Sequence, residues 1–307
     1  MCQLKSGILL KDRVFIPDYD SHEDMLKELK IEDTEDNARR LFVRAELVPP
    51  NDDVFTQVSE WKYRVDQDIL PDWYVPEVDE KRVRDAVAEW AKEHIHVGEK
   101  IEEITSGLHW IMDGTVGVIG GSAEIRELCG SATVEKICNS AEVGYICGSA
   151  KVKYIRDSAK VGYICNSAEV RYIRDSAEVG YICGSAKVKY IRDSAKVRYI
   201  RNYAEVGYIC GSAEVENIFG SAKVEKIFDS AEVGYICGSA EVENIFGSAK
   251  VGNICCSATV MTDSVSKWYN ADDVCIKDEA VIIDRYNKKI YHAGAFETVI
   301  AGGRKDE

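Results

Sequence analysis

Prolines are few in this 307-residue chain and long apolar runs are lacking, and both features restrict the structures that the chain can form. All five prolines lie before residue 77, so none interrupts the repeated region from residue 113, where almost every backbone N–H is needed for strand pairing. No apolar run approaches the length of a membrane span, and the start of the chain lacks the apolar core of a secretory signal peptide. We therefore predict a protein without membrane or export segments.

Basic residues are also too few for a protein that binds nucleic acids through general charge attraction, because such binding needs Lys and Arg to neutralise phosphates. The formal net charge is −14, and residues 1–112 hold 26 Asp and Glu against 15 Lys and Arg. Eleven cysteines without an export signal indicate reduced thiols rather than a disulfide framework. The predicted location is the cytoplasm.

The dominant feature of the sequence is a nine-residue repeat of the form Ser-Ala-x-Val-x-x-Ile-x-x, present in 17 tandem units from Asp113 onward. A period this short is typical of a β-solenoid, in which each segment is a strand that buries its apolar side by stacking on its neighbours. Ala, Val and Ile at positions 2, 4 and 7 are predicted to point inward. Ser at position 1 and Gly, Asn or Asp at position 9 favour turns.

The charges at position 3 predict two units, or 18 residues, per turn. Taken every second unit, this position alternates in sign, as in Glu142, Lys160 and Glu178. Each charge then lies one rung, about 4.8 Å, from an opposite charge, whereas nine-residue turns would stack like charges. The predicted fold is mainly β, a parallel solenoid of about eight coils (113–262) between a small N-terminal α/β domain (1–112) and a C-terminal capping or dimerisation segment (263–307).

The same arrangement brings basic and aromatic side chains together in a candidate binding site on one side of the solenoid. We call this set the basic stripe; its members are Lys153, Arg171 and Lys189 at position 5, Tyr154, Tyr172 and Tyr190 at position 6, and Arg156, Arg174 and Arg192 at position 8. Such a surface can hold an acidic protein, a nucleotide or another phosphate ligand. An Asp follows each Arg of position 8, however, and cancels much of its charge. Further along, Glu216, Glu225 and Glu243 occupy position 5.

Three other uses of the repeat are disfavoured. The Gly-Gly-x-Gly-x-Asp signature of calcium-binding nonapeptides is absent, and position 3 has too few threonines for an ice-binding face. The cysteines that recur at position 8, such as Cys129, Cys147 and Cys165, lack the CxxC spacing of zinc sites. No metal or other cofactor is predicted.

The N-terminal region contains three strand-like segments (9–17, 40–50 and 54–65), a helix over about 22–30 with Ser21 and Asp24 as a capping box, and a second helix that begins at Asp79. Cys2 is its only candidate catalytic residue, because removal of Met1 would expose an N-terminal thiol that its own amine can activate. Its candidate helpers are His22, His94, His96 and Glu46.

The segments CQLKSGILLKDRVFIPDYDSHEDMLKEL (2–29) and VDQDILPDWYV (65–75) resemble phage- and prophage-encoded proteins that join a similar N-terminal domain to short tandem repeats. The resemblance implies no known activity. The repeat architecture is also similar to pentapeptide-repeat β-helices, some of which imitate duplex DNA. Here the unit has nine residues and the solenoid is nearly neutral, which argues against DNA imitation.

Three hypotheses about function follow. The first is a non-enzymatic binding protein, of phage origin, that acts on a host macromolecule in the cytoplasm through a protein–protein contact. The second is a Cys2-dependent enzyme in which the solenoid positions the substrate. The third is a structural spacer or self-assembling rod, and in each case the C-terminal segment is a candidate homodimer contact.

Overall fold

The structure, a computed structural model, describes residues 5–262, 275–285, 288–292 and 295–298. The described chain divides into two compact units. The first comprises residues up to Val97 together with Gly107–Trp110, and the second comprises Gly98–Ser106 and the residues from Ile111. The predicted boundary between residues 112 and 113 depended on composition and repeat alone, and it stays a prediction.

The first unit is a four-stranded antiparallel sheet covered by helices on both faces. Its elements are β1 (Lys5–Leu10), β2 (Val14–Phe15), α1 (His22–Glu28), α2 (Glu35–Ala38), β3 (Phe42–Val48), two 3-10 turns (Pro50–Asp52 and Val58–Glu60), β4 (Lys62–Val65), α3 (Pro76–His94) and β5 (Ile95–Val97). The sheet order is β2-β1-β3-β4. Alternate residues of β1 face opposite sides, so Leu9 packs with Val83 and Val87 of α3 while Ile8 packs with Met25 of α1.

The α/β character is confirmed, but several predicted elements have different boundaries. Ser21 caps α1 as predicted, since its hydroxyl accepts the N–H of Asp24 at 3.2 Å. The segment 9–17 is a hairpin rather than one strand, and only the end of 54–65 is a strand. Helix α3 begins at Pro76 instead of Asp79, because the Asp79 carboxylate accepts the N–H of Val75 at 2.7 Å and holds the turn before it.

The second unit is the predicted parallel β-solenoid, although the first three residues of its second strand, Leu108–Trp110, belong to the first unit. Its strands follow in chain order: β6 (Lys100–Ile104), β7 (Leu108–Met112), β8 (Thr115–Ile119), β9 (Glu124–Cys129), β10 (Thr133–Ile137), β11 (Glu142–Ile146), β12 (Lys151–Ile155), β13 (Lys160–Ile164), β14 (Glu169–Ile173), β15 (Glu178–Ile182), β16 (Lys187–Ile191), β17 (Lys196–Ile200), β18 (Glu205–Ile209), β19 (Glu214–Ile218), β20 (Lys223–Ile227), β21 (Glu232–Ile236), β22 (Glu241–Ile245), β23 (Lys250–Ile254), β24 (Thr259–Thr262), β25 (Cys275–Ile276), β26 (Val281–Asp284), β27 (Lys289–His292) and β28 (Ala295–Thr298).

Successive strands alternate between two sheets, which confirms the 18-residue turn. The even-numbered strands β6 to β26 form one parallel sheet, here the even sheet, and the odd-numbered strands β9 to β25 lie in the other, the odd sheet. Glu142 pairs with Lys160, and Tyr145 with Tyr163, one turn apart. The solenoid has about 10 turns rather than eight, because β6, β25 and β26 continue the sheets beyond the recognisable repeats.

The three predicted inward positions form one continuous core. Ala141, Val143 and Ile146 are representative, with exposures of 0 %, 2 % and 0 %, and the equivalent residues of the other repeats are equally buried. Each rung also joins the next through backbone hydrogen bonds, as from the N–H of Lys151 to the carbonyl of Ala132 at 2.8 Å. Every turn is therefore held by the same packing and the same hydrogen bonds.

Position 9 has a left-handed backbone conformation, which explains why it is Gly, Asn or Asp in the described repeats except at Cys256. Its φ angle is +65° at Gly148, +59° at Asp157 and +56° at Asn166. An Asp at this position also bonds to the previous rung, since Asp157 Oδ2 accepts the N–H of Asn139 at 3.2 Å. The predicted turn chemistry is confirmed, and these aspartates have a structural role in it.

The alternating charges of position 3 form ion pairs between rungs. Lys187 Nζ lies 3.0 Å from the Glu205 carboxylate, and Lys223 lies 3.1 Å from Glu241. These side chains are more than half exposed, so each pair contributes only a few tenths of a kcal/mol, about 0.2–1. They favour the native register because a slip by one rung would place like charges together.

The described part of the C-terminal segment contains the antiparallel pair β26 and β27. β26 continues the even sheet in parallel, and β27 and β28 then add to it antiparallel. The predicted homodimer contact of this segment stays a prediction. Among the described residues, no helix has the length and apolar character required to span a lipid bilayer.

Candidate functional site

Six members of the basic stripe lie on three neighbouring strands of the even sheet, β12, β14 and β16, and its three arginines of position 8 directly follow these strands. The register places Tyr154, Tyr172 and Tyr190 one rung apart in a single column. Their ring centroids are 5.2 Å and 5.0 Å apart and the planes are nearly parallel. The tyrosines therefore form a continuous aromatic ladder between the two basic columns.

Two of the position-8 arginines of the stripe, Arg174 and Arg192, are each held by an aspartate and a tyrosine, whereas Arg156 has an ion-pair contact with Asp157 at 3.9 Å. Arg174 Nε lies 3.8 Å from Asp175 Oδ2, and its guanidinium lies 5.3 Å from the ring centre of Tyr154, one rung below. Arg192 has the same two contacts with Asp193 and Tyr172. Within the described residues the buried Nε–H groups of Arg156, Arg174 and Arg192 donate no hydrogen bond, so the neighbouring aspartates compensate these arginines only in part.

The basic side chains of position 5 differ in their contacts. Lys153 donates to Glu135 one rung below, at 2.6 Å. Arg171 and Lys189 are exposed and lie beside the rings of Tyr172 and Tyr190, and neither has a carboxylate within 4 Å among the described residues. These two charges are the least compensated of the stripe.

A groove of about 960 Å³ runs along the even sheet between the columns of positions 3 and 5. The valines of position 4 form its floor, and its walls include Lys153, Arg171 and Lys189 on one side and Lys151 and Lys187 on the other. Glu225 and Glu243 continue the same wall beyond the basic part. Glu216, which shares their repeat position, lies on β19 of the odd sheet, so of the three glutamates only Glu225 and Glu243 are in this column.

The odd sheet has a different surface, because glycine recurs at position 5 and cysteine at position 8. Cys129 and Cys147 are one rung apart, and one ligand atom of each lies within 4.8 Å of the other and of a Glu127 carboxylate oxygen. Hydrogen bonding with Cys129 raises the pKa of Cys147 to about 12, so this thiol is protonated at neutral pH. Among the described residues of the solenoid, these three side chains are the one group of three potential metal ligands within 4.8 Å of one another.

The candidate catalytic residue Cys2 lies outside the described residues, and its role stays a prediction. Its candidate helpers fall into two separate groups. His22 lies with Glu46 and Asp66, and its Nδ1 is 3.3 Å from Asp66 Oδ2. His94 and His96 belong to the second group.

The second group is a polar network that sequence reasoning did not find. The Nε2 of His94 lies 2.8 Å from Asp18 Oδ1, and its ring stacks on Trp90 at 4.5 Å. Lys5, whose side chain is 2 % exposed, lies 4.6 Å from the Trp90 ring and 2.9 Å from Asp20. Burial lowers the pKa of Lys5.

The network continues through a pair of imidazoles. His96 Nε2 and His109 Nδ1 are 3.1 Å apart, and the His109 ring stacks on His94. Its members come from residues 5 to 109, and no motif connects them in the sequence. The two aspartates at 18 and 20 and the His-x-His at 94–96 were the only available signals.

Comparison with protein-family models, with curated proteins and with solved structures finds no match for this chain. The conclusions about function therefore depend on the geometry described above.

Proposed function

We propose that this protein is a non-enzymatic binding scaffold whose basic stripe engages an acidic segment of a protein partner. The observation that carries the proposal is the ladder of stacked tyrosines between two basic columns, repeated over three rungs. Repetition at a spacing of about 4.8 Å suits an extended ligand with charges at regular intervals better than a single small molecule. The resemblance to phage-encoded proteins leads us to propose a host macromolecule as the partner and the host cytoplasm as the place of action.

Two physical features support this proposal. The arginines are partly immobilised by their aspartate and tyrosine contacts, so binding costs them less side-chain entropy than it costs a free arginine. The guanidinium edges of the position-8 arginines remain accessible. So do the cations of position 5, among which Arg171 and Lys189 are exposed. The stripe is therefore preorganised and still has charge available for a ligand.

The test is titration of the full chain with a fluorescent oligoglutamate peptide, followed by fluorescence anisotropy. The variant Arg156→Gln/Arg174→Gln/Arg192→Gln removes three charges from the stripe. At about 0.2–1 kcal/mol for each exposed ion pair, binding should weaken about tenfold. The matched control is Arg126→Gln/Arg198→Gln/Arg201→Gln, which removes three arginines from the odd sheet and should leave binding nearly unchanged.

Equal weakening by both triple variants would show that the peptide responds only to overall charge, and would contradict the proposal. Binding of inorganic phosphate or ATP at the stripe without binding of the peptide would also contradict it, and would indicate a phosphate ligand instead. Circular dichroism of each variant checks that the solenoid is intact.

A further inference from the structure

The outer face of the even sheet carries a charge pattern that is complementary to itself. At position 3 the signs alternate from β12 to β22: Lys151, Glu169, Lys187, Glu205, Lys223 and Glu241. At position 5 of the same strands the signs are segregated: Lys153, Arg171 and Lys189 come first, Gly207 is neutral, and Glu225 and Glu243 follow. Both columns line the groove and project from the same face.

We propose that this face binds a second copy of the chain, in an antiparallel dimer with its twofold axis parallel to the strands and midway between β16 and β18. This inference rests on the proposed function, because it names a second copy, with its Glu225 and Glu243, as the acidic partner of the basic stripe's position-5 column. A twofold contact is isologous, so each facing pair of residues occurs twice.

With this symmetry, every charged residue of the two columns from β12 to β22 faces either a residue of the other sign or a glycine in the second copy. The facing pairs are Lys187 with Glu205, Glu169 with Lys223, Lys151 with Glu241, Arg171 with Glu225, and Lys153 with Glu243, while Lys189 faces Gly207. Arg171, which has no carboxylate within 4 Å in one chain among the described residues, gains one from the second copy.

Other arrangements of two copies are less complementary. An axis one rung further, between β18 and β20, leaves only three oppositely charged pairs. An axis along the solenoid would bring position 3 against position 5 of the same rung, so that Lys187 would face Lys189. The odd sheet has no equivalent pattern, because an axis between its β15 and β17 places Glu142 opposite Glu232.

The size of the face predicts a weak and salt-sensitive dimer. Strands of five residues at about 3.3 Å per residue, over the six rungs from β12 to β22 at about 4.8 Å each, give about 480 Å² on each copy. The total of about 950 Å² is at the lower limit for a specific protein–protein interface. Because charge pairs dominate the contact, dissociation should increase with ionic strength.

The test is sedimentation equilibrium of the full chain, with a charge swap at one facing pair. Arg171 and Glu225 suit this experiment because neither has an ion pair in one chain among the described residues. Arg171→Glu alone or Glu225→Lys alone creates two like-charged contacts per dimer and should weaken association about tenfold or more. The double variant Arg171→Glu/Glu225→Lys should restore it. Arg198→Glu, at the same repeat position in the odd sheet, is the matched control and should have little effect.

Carbodiimide coupling, which joins a Lys amine to a Glu carboxylate without a spacer, identifies the arrangement directly. Lys153 and Glu243 are five rungs, about 24 Å, apart in one chain, so an amide between them can form only between two copies. Coupling of Lys187 to Glu205 serves as the internal control, because these residues are also close within one chain.

A chain that stays monomeric at about 100 µM and low salt would overturn the dimer. A dimer that survives Arg171→Glu unchanged would also overturn it and would indicate another contact, such as the C-terminal segment. A monomer that still binds oligoglutamate through the stripe would refute only the dimer. A monomer without peptide binding would refute the proposed function as well.

Discussion

Replacement of one core isoleucine by alanine measures how rigidly the solenoid holds its rungs. Ile182 of β15 is 0 % exposed and lies between Ile164 and Ile200 of the adjacent rungs. Ile182→Ala removes three carbon atoms from the core. At about 0.8 kcal/mol for each buried methylene, the lost transfer free energy alone is about 2.4 kcal/mol.

The cavity left by this change adds to the cost if the neighbouring rungs cannot collapse into it. They are fixed by backbone hydrogen bonds on both sides, from the N–H of Cys183 to the carbonyl of Ile164 and from the N–H of Arg201 to the carbonyl of Ile182, each 2.9 Å long. We therefore expect a loss of unfolding free energy of about 3–4 kcal/mol, near the middle of the range for such substitutions. Ile182→Val, the matched control, should cost about 1 kcal/mol.

The assay is urea unfolding of the full chain followed by circular dichroism. With a slope of about 2–3 kcal/mol per molar urea, Ile182→Ala should lower the midpoint by at least about 1 M. Because each rung contacts only its neighbours, the variant is also expected to broaden the transition, as the halves on either side of residue 182 become less cooperative. A cost of about 2.4 kcal/mol or less, which is no more than the transfer free energy alone, would refute the argument, since it would mean that the rungs collapse onto the cavity.

Four further predictions test other parts of the molecule. Deletion of residues 158–166 should move Arg171 and Arg174 to the odd sheet and abolish their contribution to oligoglutamate binding. Deletion of residues 158–175 should instead keep the remaining columns aligned, so that binding stays measurable. An equal loss of binding in both deletion variants would contradict the two-unit turn. Asp157→Ala should lower the thermal stability by about 1–2 kcal/mol because of its left-handed backbone, while Asp157→Gly should cost less, and a reversed order would contradict this reason. Burial lowers the pKa of Lys5, so below that pKa the charged amine disfavours folding, and this cost disappears as the pH rises towards 10.5. Over this interval the unfolding free energy of the unmodified chain should therefore rise relative to that of Lys5→Met. A constant difference between the two proteins would disprove the effect. The exposed Cys256 should react with an alkylating reagent at pH 8 before Cys147 and Cys165, whose pKa values are raised chiefly by hydrogen bonding to neighbouring thiols, as peptide mass mapping would detect; faster labelling of Cys147 would be the contrary result.

The solenoid was predictable because its physical requirements recur in every unit. Ala, Val and Ile mark the inward positions, and the alternation of Glu142, Lys160 and Glu178 required a partner two units away. The segment Lys100–Ile104 also forms a rung, yet it shares only the in–out pattern and none of the repeated letters with the other rungs. For that reason the number of turns was underestimated.

The first unit was harder to predict because its contacts join residues that are distant in the chain. The network of Lys5, Asp18, Trp90 and His94 depends on how β1 and α3 pack, and neither residue spacing nor composition encodes that packing. The start of α3 was placed at Asp79 because an acidic residue there is typical of a helix beginning. Its carboxylate instead bonds back to Val75, one turn earlier. The columns of the basic stripe were predictable from the repeat. That the aspartates compensate the charge of its arginines only in part could be seen only from the distances between these side chains.

The uniform core also constrains how such a chain can change length during evolution. Every turn buries the same three residue types twice, so a tandem duplication or loss of 18 codons leaves each layer with unchanged neighbours above and below. An event of nine codons preserves the core equally well but exchanges the outer surfaces of the two sheets from that point onward. Recombination within the repeats can therefore lengthen a binding surface or transfer it to the opposite sheet, without any new solution to the packing problem.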